Sequence, residues 1–273
     1  MNKTVIITGA SRGIGKAAAI KFASEGYNIV LNSKNGGETL YNTLSLCRTA
    51  LSSYIDNKTP KTTGSSQYGK EPHIISVPGD VSDPSFAPKL IEAASHEFGR
   101  IDILINNAGI SFIGLIQNTS DEIWQNIINT NLSSVHYCTR AVIPYMLKNM
   151  SEHDCPSGVT ENGRIINISS VWGNTGASCE AAYSASKGGL NAYTKACAKE
   201  LAPSGISVNA ISCGFVDTDM NKNFTEEERL GVIEQIPASR AALPEEIAEI
   251  IYLTAQMPTY LTGQIITADG GWI

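Results

Sequence analysis

Near its N-terminus the chain reads Thr4-Val-Ile-Ile-Thr-Gly-Ala-Ser-Arg-Gly-Ile-Gly15, and this segment constrains the architecture more than any other. The β-branched run from Thr4 to Thr8 is typical of a buried parallel strand. Glycines follow at positions 9, 13 and 15. Beyond them, apolar residues recur at the spacing of one helix face: Ile14, Ala17, Ala18, Phe22 and Ala23. The segment therefore predicts a strand, a glycine turn and a helix, in that order.

This arrangement suits the pyrophosphate of a dinucleotide. Glycines permit a tight turn and close approach of the backbone, while the helix N-terminus offers free N–H groups and a positive dipole end. The spacing is Gly-x-x-x-Gly-x-Gly rather than the more familiar Gly-x-Gly-x-x-Gly. A glycine turn that binds nothing is the alternative, and the strand before it and the helix after it favour the dinucleotide.

Strands and helices alternate along the rest of the chain. Further strands are predicted at 29–31, 73–77, 101–105, 164–168, 206–211 and 264–267, and helices at 84–98, 121–149, 180–201 and 244–257. Repeated strand–helix units predict an α/β fold with a doubly wound parallel sheet and helices on both faces. At 273 residues and 42% hydrophobic composition, the chain fits a single domain, 1–273, with one core.

Ligands of such sheets bind beyond the carboxyl ends of the strands. Four polar or glycine-containing segments follow predicted strands: Thr8-Gly9, Asn106–Gly109, Ser170 and the 213–218 loop. Their convergence at one edge predicts a single shared site.

Tyr183-Ser-Ala-Ser-Lys187 places a phenol and an ammonium one helical turn apart on the same face. A phenol normally titrates near ~10, and a nearby ammonium favours the phenolate. The pair is thus a candidate general acid/base, and Ser170 could hold a substrate oxygen beside it. On this spacing alone, a half-buried tyrosine with a solvated lysine is the alternative.

Composition restricts the class of protein. The formal net charge is -6, with no long basic run, which argues against nucleic acid as a partner. The chain has no 18-residue apolar stretch and no signal-peptide layout, so we expect no membrane span and a cytoplasmic location. The four histidines lack metal-ligand spacing, and we expect no metal site. Six cysteines without C-x-x-C pairing are interpreted as reduced thiols: Cys47, Cys138, Cys155, Cys179, Cys197 and Cys213.

Over nearly its whole length the sequence resembles the short-chain dehydrogenase/reductase family, whose fold is the Rossmann type. The motifs that carry the resemblance are Thr8–Gly15, Gly79-Asp-Val-Ser-Asp83, Asn106-Asn-Ala-Gly109, Asn131, Ser170, Tyr183-x-x-x-Lys187 and Gly214-Phe-Val-Asp-Thr218. Within the family it looks most like the 3-oxoacyl-carrier-protein reductases, on the segments 214–220 and 261–272. That resemblance implies a homotetramer.

The resemblance also implies residue roles. Tyr183 would donate a proton to a ketone oxygen, and Ser170 would hold that oxygen. Lys187 would lower the pKa of Tyr183 and bind the nicotinamide ribose, and Asn131 would anchor a water that connects Lys187 to solvent. The implied cofactor contacts are Gly9, Ser11, Arg12, Gly13, Ile14, Gly15, Ser33, Lys34, Asp80, Val81, Asn107, Ala108, Gly109, Tyr183, Lys187, Gly214, Val216 and Thr218.

The end of the second strand bears on the choice of cofactor. An acidic residue there would bind the ribose 2′-hydroxyl of NAD. This chain instead reads Leu31-Asn-Ser-Lys34, and Ser33, Lys34 and Arg12 could bind a 2′-phosphate. We therefore expect NADP(H) in preference to NAD(H), the alternative being that Lys34 and Arg12 are solvated surface charges.

The chain departs from the family pattern in four places. Cys213 stands where a proline is usual, so the loop loses a fixed φ, and its thiol is either inert or oxidisable. Segments 49–70 and 149–163 are longer than expected and are predicted to be surface loops. Ser204 stands where a basic residue would help to bind an acidic carrier protein. The segment 220–239 is predicted to form a substrate lid, or else a plain amphipathic helix.

The resemblance, with the residues at the end of the second strand, implies an NADP(H)-dependent reductase of a 3-oxoacyl thioester, with acyl carrier protein as a candidate partner. The acidic segment before Arg164 weakens carrier docking and leaves a free ketone, a steroid-like ketone, a sugar or an acyl-CoA open. A non-catalytic cofactor-binding regulator is a second class of function. A hydrolase that uses Ser170 is a third, and the chain lacks a histidine near a nucleophile elbow.

Overall fold

The computed structural model describes residues 2–58, 71–149, 161–222 and 224–273. Within them, seven strands pair in parallel in the order β3-β2-β1-β4-β5-β6-β7. The strands are β1 Thr4–Ile7, β2 Asn28–Leu31, β3 Ile74–Ser76, β4 Ile103–Asn106, β5 Gly163–Ser170, β6 Ile206–Cys213 and β7 Ile265–Ala268. The predicted α/β fold with a parallel, Rossmann-type sheet is confirmed.

Helices connect the strands and cover both faces of the sheet. They are α1 Gly13–Ser24, α2 Glu38–Lys58, α3 Phe86–Phe98, α4 Asp121–Ile128, α5 Ser134–Met146, α6 Trp172–Thr175, α7 Ala181–Leu201, α8 Glu226–Ile233 and α9 Pro244–Gln256. The side chains of β1 show how the two layers form. Val5 and Ile7 pack with α1, α2 and α9, whereas Ile6 packs with α3, α5 and α7. All three are fully buried, which is why β1 reads as a continuous apolar run.

The strand order reverses between β1 and β4, because the chain crosses from one half of the sheet to the other there. A crevice forms beyond the carboxyl ends of strands at such a point. The glycine turn after β1 and the segment after β4 lie at this position, as the sequence predicts.

Of the two expected surface loops, the first is partly helical, and most of the second lies outside the described residues. The loop expected at 49–70 cannot begin at Thr49, because α2 continues to Lys58. Leu44, Cys47 and Leu51 recur at helical spacing and are buried against the sheet, which holds the helix together. Residues 59–70, and 150–160 of the second expected loop, lie outside the described residues.

The helix predicted at 121–149 is interrupted. Ser120 caps its N-terminus, since Ser120 Oγ accepts a hydrogen bond from the Ile123 amide at 3.2 Å. A π-helical turn, Asn129–Ser133, then separates α4 from α5. The helix predicted to begin at Pro84 begins at Phe86, because the Asp83 carboxylate accepts from the Ser85 amide at 2.8 Å and closes a turn first.

The segment predicted as a lid contains the short helix α8. A capping box starts this helix: Thr225 Oγ1 accepts from the Glu228 amide, and the Glu228 carboxylate accepts from the Thr225 amide. Ile236 is buried, whereas Leu230 is half exposed, so the segment only partly packs on the body. Among the described residues no helix is long and apolar enough to cross a membrane, and no cluster of acidic, histidine and cysteine side chains could hold a metal.

Candidate active site

Ser170 is the last residue of β5, at the edge of the sheet where the ligands of this fold bind. Its hydroxyl oxygen accepts from the Trp172 amide at 3.2 Å and shares a hydrogen bond with the Tyr183 phenol. Ser169 points the other way, because successive strand residues face opposite sides, and its hydroxyl bonds to Asn191. The structure therefore brings Ser170, rather than Ser169, to Tyr183.

Tyr183 and Lys187 lie one turn apart on α7. Lys187 is buried, and its Nζ donates to the Ile168 carbonyl at 2.8 Å. The same Nζ lies 5.6 Å from the centroid of the Tyr183 ring. Ser170, Tyr183 and Lys187 thus form one constellation between β5 and α7.

Burial controls the titration of this constellation. It raises the pKa of the Tyr183 phenol, a shift that the hydrogen bond from Ser170 opposes. It also lowers the pKa of Lys187 to about 8. The net shift is upward because desolvation outweighs the Ser170 hydrogen bond, and the predicted effect of Lys187 on the Tyr183 pKa stays a prediction. Tyr183 is consequently protonated at neutral pH, which is the form that can donate a proton.

Asn131 sits inside the π-helical turn and is fully buried. Its Nδ2 donates to the Ile110 carbonyl at 2.9 Å and to Ser186 Oγ at 3.1 Å, and its Oδ1 accepts from the Ile110 amide at 2.9 Å. A Cβ placed on Gly109 would lie 3.5 Å from Asn131 Oδ1 and 3.6 Å from Lys187 Nζ. Asn131 therefore reaches the neighbourhood of Lys187, and π turns of this kind are frequent at functional sites.

The glycine turn forms a cradle with no room for side chains. A Cβ on Gly9, where φ is +65°, would lie 2.8 Å from Ala108 Cα, and one on Gly15 would collide with Asn107 Nδ2 and the Gly9 carbonyl. The helix α1 starts after the extended Arg12 without a side-chain cap and without an acidic residue in its first turn. Free amides and an open cradle fit a dinucleotide pyrophosphate.

The segment after β4 braces this cradle. Thr8 Oγ1 accepts from the amides of Asn107 and Ala108, at 3.0 and 3.1 Å. Asn107 Nδ2 donates to the carbonyls of Thr8 and Gly9. Asn107 thus shapes the glycine turn, and its predicted place beside the adenine ribose stays a prediction. Asn106 is buried and donates to Asn167 Oδ1 at 2.9 Å, so it stabilises the sheet.

The predicted 2′-phosphate residues already have acidic partners. Lys34 Nζ lies 2.7 Å from Asp80 Oδ2, and Arg12 Nη1 lies 3.8 Å from Asp219 Oδ2. Burial would raise the pKa of Asp80, but the hydrogen bonds from Lys34 and Ser82 outweigh it and lower that pKa. The Ser33 hydroxyl donates to the Asn35 carbonyl at 2.6 Å. Both basic groups are exposed, as solvated charges would be, and both lie at the rim of the crevice.

The loop after β6 contains the remaining predicted contacts. Gly214 lies against the backbone of Asp269, and Val216 is buried beside an isolated bridge to Ala242. Thr218 approaches Gly13, since a Cβ there would lie 3.3 Å from Thr218 Cγ2. The loop thereby closes over the N-terminus of α1.

Two groups at the site were missed by sequence reasoning. The first is Glu180, one turn before Tyr183, which is half buried and hydrogen-bonded to the Trp172 indole. Trp172 in turn packs edge-on against Trp272, with 4.9 Å between the ring centroids. Asn191 lies eight residues after Tyr183, where two helical turns bring it to the same face. The i, i+4, i+8 spacing from Tyr183 is the sequence signal that could have found Asn191.

Comparisons with known proteins fit this geometry. Residues 3–56 match the family model described as short chain dehydrogenase, and residues 44–273 match the one described as enoyl-(acyl carrier protein) reductase. An uncharacterized oxidoreductase of Bacillus subtilis is 37% identical over 273 residues, covering 100% of this chain and 99% of the relative.

Two further relatives carry a named activity. The 3-oxoacyl-[acyl-carrier-protein] reductase of Escherichia coli is 35% identical, with 98% of this chain and 96% of the relative covered. The same-named enzyme of Synechocystis is 37% identical, with 99% and 97% covered. The chain belongs to the short-chain dehydrogenase/reductase family. It is accordingly an NAD(P)-dependent oxidoreductase that acts on CH–OH groups.

Proposed function

We propose that this enzyme reduces the ketone of a 3-oxoacyl thioester to a secondary alcohol with NADPH. The hydrogen-bonded pair of Ser170 and a protonated Tyr183, at the carboxyl end of β5, is the observation that carries the proposal. It places two hydroxyl groups side by side, and both can donate to a ketone oxygen that replaces their mutual hydrogen bond, as that oxygen needs when it gains negative charge.

In this mechanism Ser170 Oγ donates a hydrogen bond to the ketone oxygen and holds it beside Tyr183. The nicotinamide, when bound, supplies the hydride. Tyr183 transfers its phenolic proton to the same oxygen as charge develops there. Lys187 then stabilises the phenolate that remains, and Asn131 holds the backbone of Ile110 beside Lys187. Reprotonation of Tyr183 completes the cycle.

Preference for NADPH rests on the end of β2. No carboxylate follows this strand directly, since Asn32 is buried and its amide donates to the carbonyls of Val77 and Gly79. Lys34 and Arg12 lie at the rim with exposed charges. A 2′-phosphate would compete with Asp80 and Asp219 for these cations.

The thioester substrate is proposed from the two relatives named as 3-oxoacyl-[acyl-carrier-protein] reductases. Carrier docking would need basic groups near the crevice. Ser204 supplies none, and its carbonyl accepts from Asn162 Nδ2 at 2.7 Å. A thioester that is not linked to a carrier is therefore a second candidate.

Initial rates with NADPH and NADH test both points. Acetoacetyl thioesters, free and carrier-linked, would be compared side by side by the absorbance of the reduced nicotinamide. We expect a preference for NADPH and turnover of a thioester. A preference for the carrier-linked form selects the carrier protein as partner, and cofactor binding without turnover of either form contradicts the proposed substrate.

Replacing Tyr183 tests the mechanism. Tyr183→Phe removes only the hydroxyl, so we expect the cofactor dissociation constant to persist while kcat falls by about 10²-fold or more, the usual contribution of a positioned proton donor. Ser170 keeps its hydroxyl in this variant, so the loss reports proton transfer rather than orientation of the ketone. Tyr260→Phe is the matched control, because that side chain is 99% exposed. Full activity of Tyr183→Phe would rule out this role.

We further propose a cytoplasmic homotetramer with the segment 220–239 as its substrate lid. A shallow groove between α5 and α7, lined by Leu132, Ser133, His136, Tyr137, Gly189 and Tyr193, supports association through this face. Light scattering after size-exclusion chromatography measures the assembly directly, and a monomer at micromolar concentration would contradict it.

A further inference from the structure

A chain of hydrogen bonds runs directly behind the catalytic residues. Ser169 Oγ donates to Asn191 Oδ1 at 2.7 Å, Asn191 Nδ2 donates to Asn174 Oδ1 at 2.8 Å, and Asn174 Nδ2 donates to Ser212 Oγ at 3.1 Å. We name these four residues the Asn191 chain. Three of them are buried, and Asn174 forms the link at the surface.

The Asn191 chain joins four elements next to the site. Ser169 precedes Ser170 in β5, and Ser212 precedes Cys213 in β6. Asn174 belongs to α6, the single turn that follows Ser170. Asn191 lies on α7, one turn after Lys187 and on the same face. Each residue of the Asn191 chain thus lies within four positions of Ser170, Cys213 or Lys187 in the sequence.

An amide at this depth is costly unless its donors and acceptor are bonded. Besides the hydrogen bonds at Ser186, Lys187 and Thr194, α7 packs through apolar side chains, including Leu190, Ala198 and Leu201. Apolar contacts tolerate small shifts, whereas hydrogen bonds at 2.7–3.1 Å have narrow distance and angle limits. Asn191 therefore restricts the register of α7 on the sheet in a way that a leucine would not.

We propose that Asn191, acting through Ser169 and Asn174, is a positioning residue that fixes α7 against β5 and β6 and so sets Tyr183 and Lys187 relative to Ser170. Contact between α6 and α7 makes this position sensitive. A Cβ on Gly173 would lie 2.7 Å from the Lys187 carbonyl carbon, so α6 and α7 already touch through their backbones. A shift of α6 is transmitted to Lys187.

Asn191→Leu tests the inference, because leucine has a similar volume and its side chain neither donates nor accepts. Misplacement of reacting groups by about 1 Å can cost 10²-fold in rate, so we expect kcat to fall by about tenfold to a hundredfold. The cofactor dissociation constant, measured by fluorescence, is expected to stay unchanged. An Asn191→Leu protein with wild-type kcat would overturn the proposal.

Thr194→Val is the matched control on the same helix. It removes the 2.9 Å hydrogen bond from Asn167 Nδ2 to Thr194 Oγ1, about two turns beyond Lys187. We expect it to lower the melting temperature and leave kcat intact. Equal losses of kcat in both variants would reduce Asn191 to a general stabilising residue and overturn the proposal.

A second readout separates positioning from stability. Displacement of Tyr183 and Lys187 from Ser170 should slow proton transfer more than it weakens substrate binding. We therefore expect Asn191→Leu to lower kcat with a smaller change in KM, at a temperature well below its melting temperature, whereas Thr194→Val changes neither constant. A loss of kcat in Asn191→Leu that disappears on cooling would be a loss of stability and contradicts the proposal.

Asn174→Ala provides a second variant should Asn191→Leu fail to fold, because Asn174 is exposed and its replacement breaks the same chain. It is expected to lower kcat in the same direction. The inference rests on the proposed role of Tyr183, and the two can fail separately. Activity in Tyr183→Phe refutes that role, whereas an inactive Tyr183→Phe beside a fully active Asn191→Leu and Asn174→Ala refutes only the positioning.

Discussion

Lys187 is a buried cation whose Nζ donates to the Ile168 carbonyl. Within the described part of the chain no carboxylate forms an ion pair with it. Burial lowers its pKa to about 8, which means that the charged side chain opposes folding. The protein gives up stability here for a cation beside Tyr183, as is common at functional sites.

Lys187→Met is therefore expected to stabilise the protein while abolishing turnover. The pKa of Lys187 in the folded protein, about 8, lies below its ordinary value of 10.5. The loss of folding free energy from burying the charged side chain is therefore fully present below pH 8 and disappears above pH 10.5. At pH 7 we expect a gain of about 1–3 kcal/mol, because the lost hydrogen bond to Ile168 offsets part of the desolvation. Urea unfolding at pH 7 and at pH 10.5 measures the gain and its decline.

Lys199→Met is the control, since Lys199 is exposed on the same helix. Its effect on the free energy of unfolding should lie within about 0.5 kcal/mol at both pH values. A destabilised Lys187→Met at pH 7 would show that the native contacts of Lys187 outweigh its burial.

Cys213 is buried beside the site, and burial raises its pKa to about 12. Of the two interpretations of this thiol, the structure favours the inert one, because the thiolate is the reactive form. Iodoacetamide applied to the native protein should label the partly exposed Cys179 before Cys213, as peptide mass spectrometry would show. Labelling of Cys213 first, with loss of activity, would favour the oxidisable thiol.

At the scale of elements, the glycine turn and α1 form a unit braced by Asn107. Of the glycines in this unit, Gly15 leaves the least room for a Cβ. We therefore expect Gly15→Ala to push Asn107 away and distort the cradle. The free energy of unfolding should fall by about 1–3 kcal/mol, the usual effect of overpacking. Cofactor binding should also weaken. Thermal unfolding and a fluorescence titration with NADPH measure the two effects.

Gly37→Ala is the matched control, because a Cβ at Gly37 would meet nothing within 4 Å. Both the melting temperature and the cofactor dissociation constant should match those of the wild type. If Gly15→Ala binds NADPH as tightly as Gly37→Ala, the cradle is not the pyrophosphate site.

At the scale of the whole molecule, an aromatic cluster joins the two ends of the sequence. Phe22 on α1 contacts Tyr27 before β2 and Tyr252 on α9, with ring centroids 5.0 and 5.5 Å apart. Phe22 is fully buried. Because Phe22 and Tyr252 are about 230 positions apart, the cluster ties the N-terminal half of the sheet to the helix that follows β6.

Phe22→Ala should destabilise the protein by about 3–5 kcal/mol, through lost burial and the cavity left behind. Urea unfolding followed by circular dichroism and by tryptophan fluorescence should show coincident transitions at lower urea. Tyr260→Ala, at a side chain that is 99% exposed, should change the free energy of unfolding by less than about 0.5 kcal/mol. A small loss in Phe22→Ala would mean that α9 contributes little to the common core.

Local patterns in the sequence were sufficient to predict the fold and the grouping of Ser170, Tyr183 and Lys187, whose catalytic role stays a proposal. The β-branched run at Thr4, the glycines and the Tyr183–Lys187 spacing are short-range signals, and each depends only on its neighbours. The C-terminal ends of parallel strands must share an edge, so the placement of Ser170 and the glycine turn at one edge of the sheet also followed. Element ends were less predictable: the expected loop at Thr49 is helical, because Leu51 is buried against a sheet that local patterns do not describe.

Only the tertiary structure decided the pKa shifts that burial causes and the hydrogen bonds between distant segments. The raised pKa of Tyr183 depends on how deeply α7 packs, and the pairing of Lys34 with Asp80 depends on where β2 and the segment after β3 meet. The Asn191 chain joins residues from four elements, and the π-helical turn around Asn131 interrupts an otherwise regular helical pattern. The sequence by itself identified the glycine turn, Ser170 and the Tyr183–Lys187 pair, but not Glu180 or Asn191. The packed structure determined their charge states and mutual positions, because desolvation and hydrogen-bond geometry exist only once distant segments are in contact.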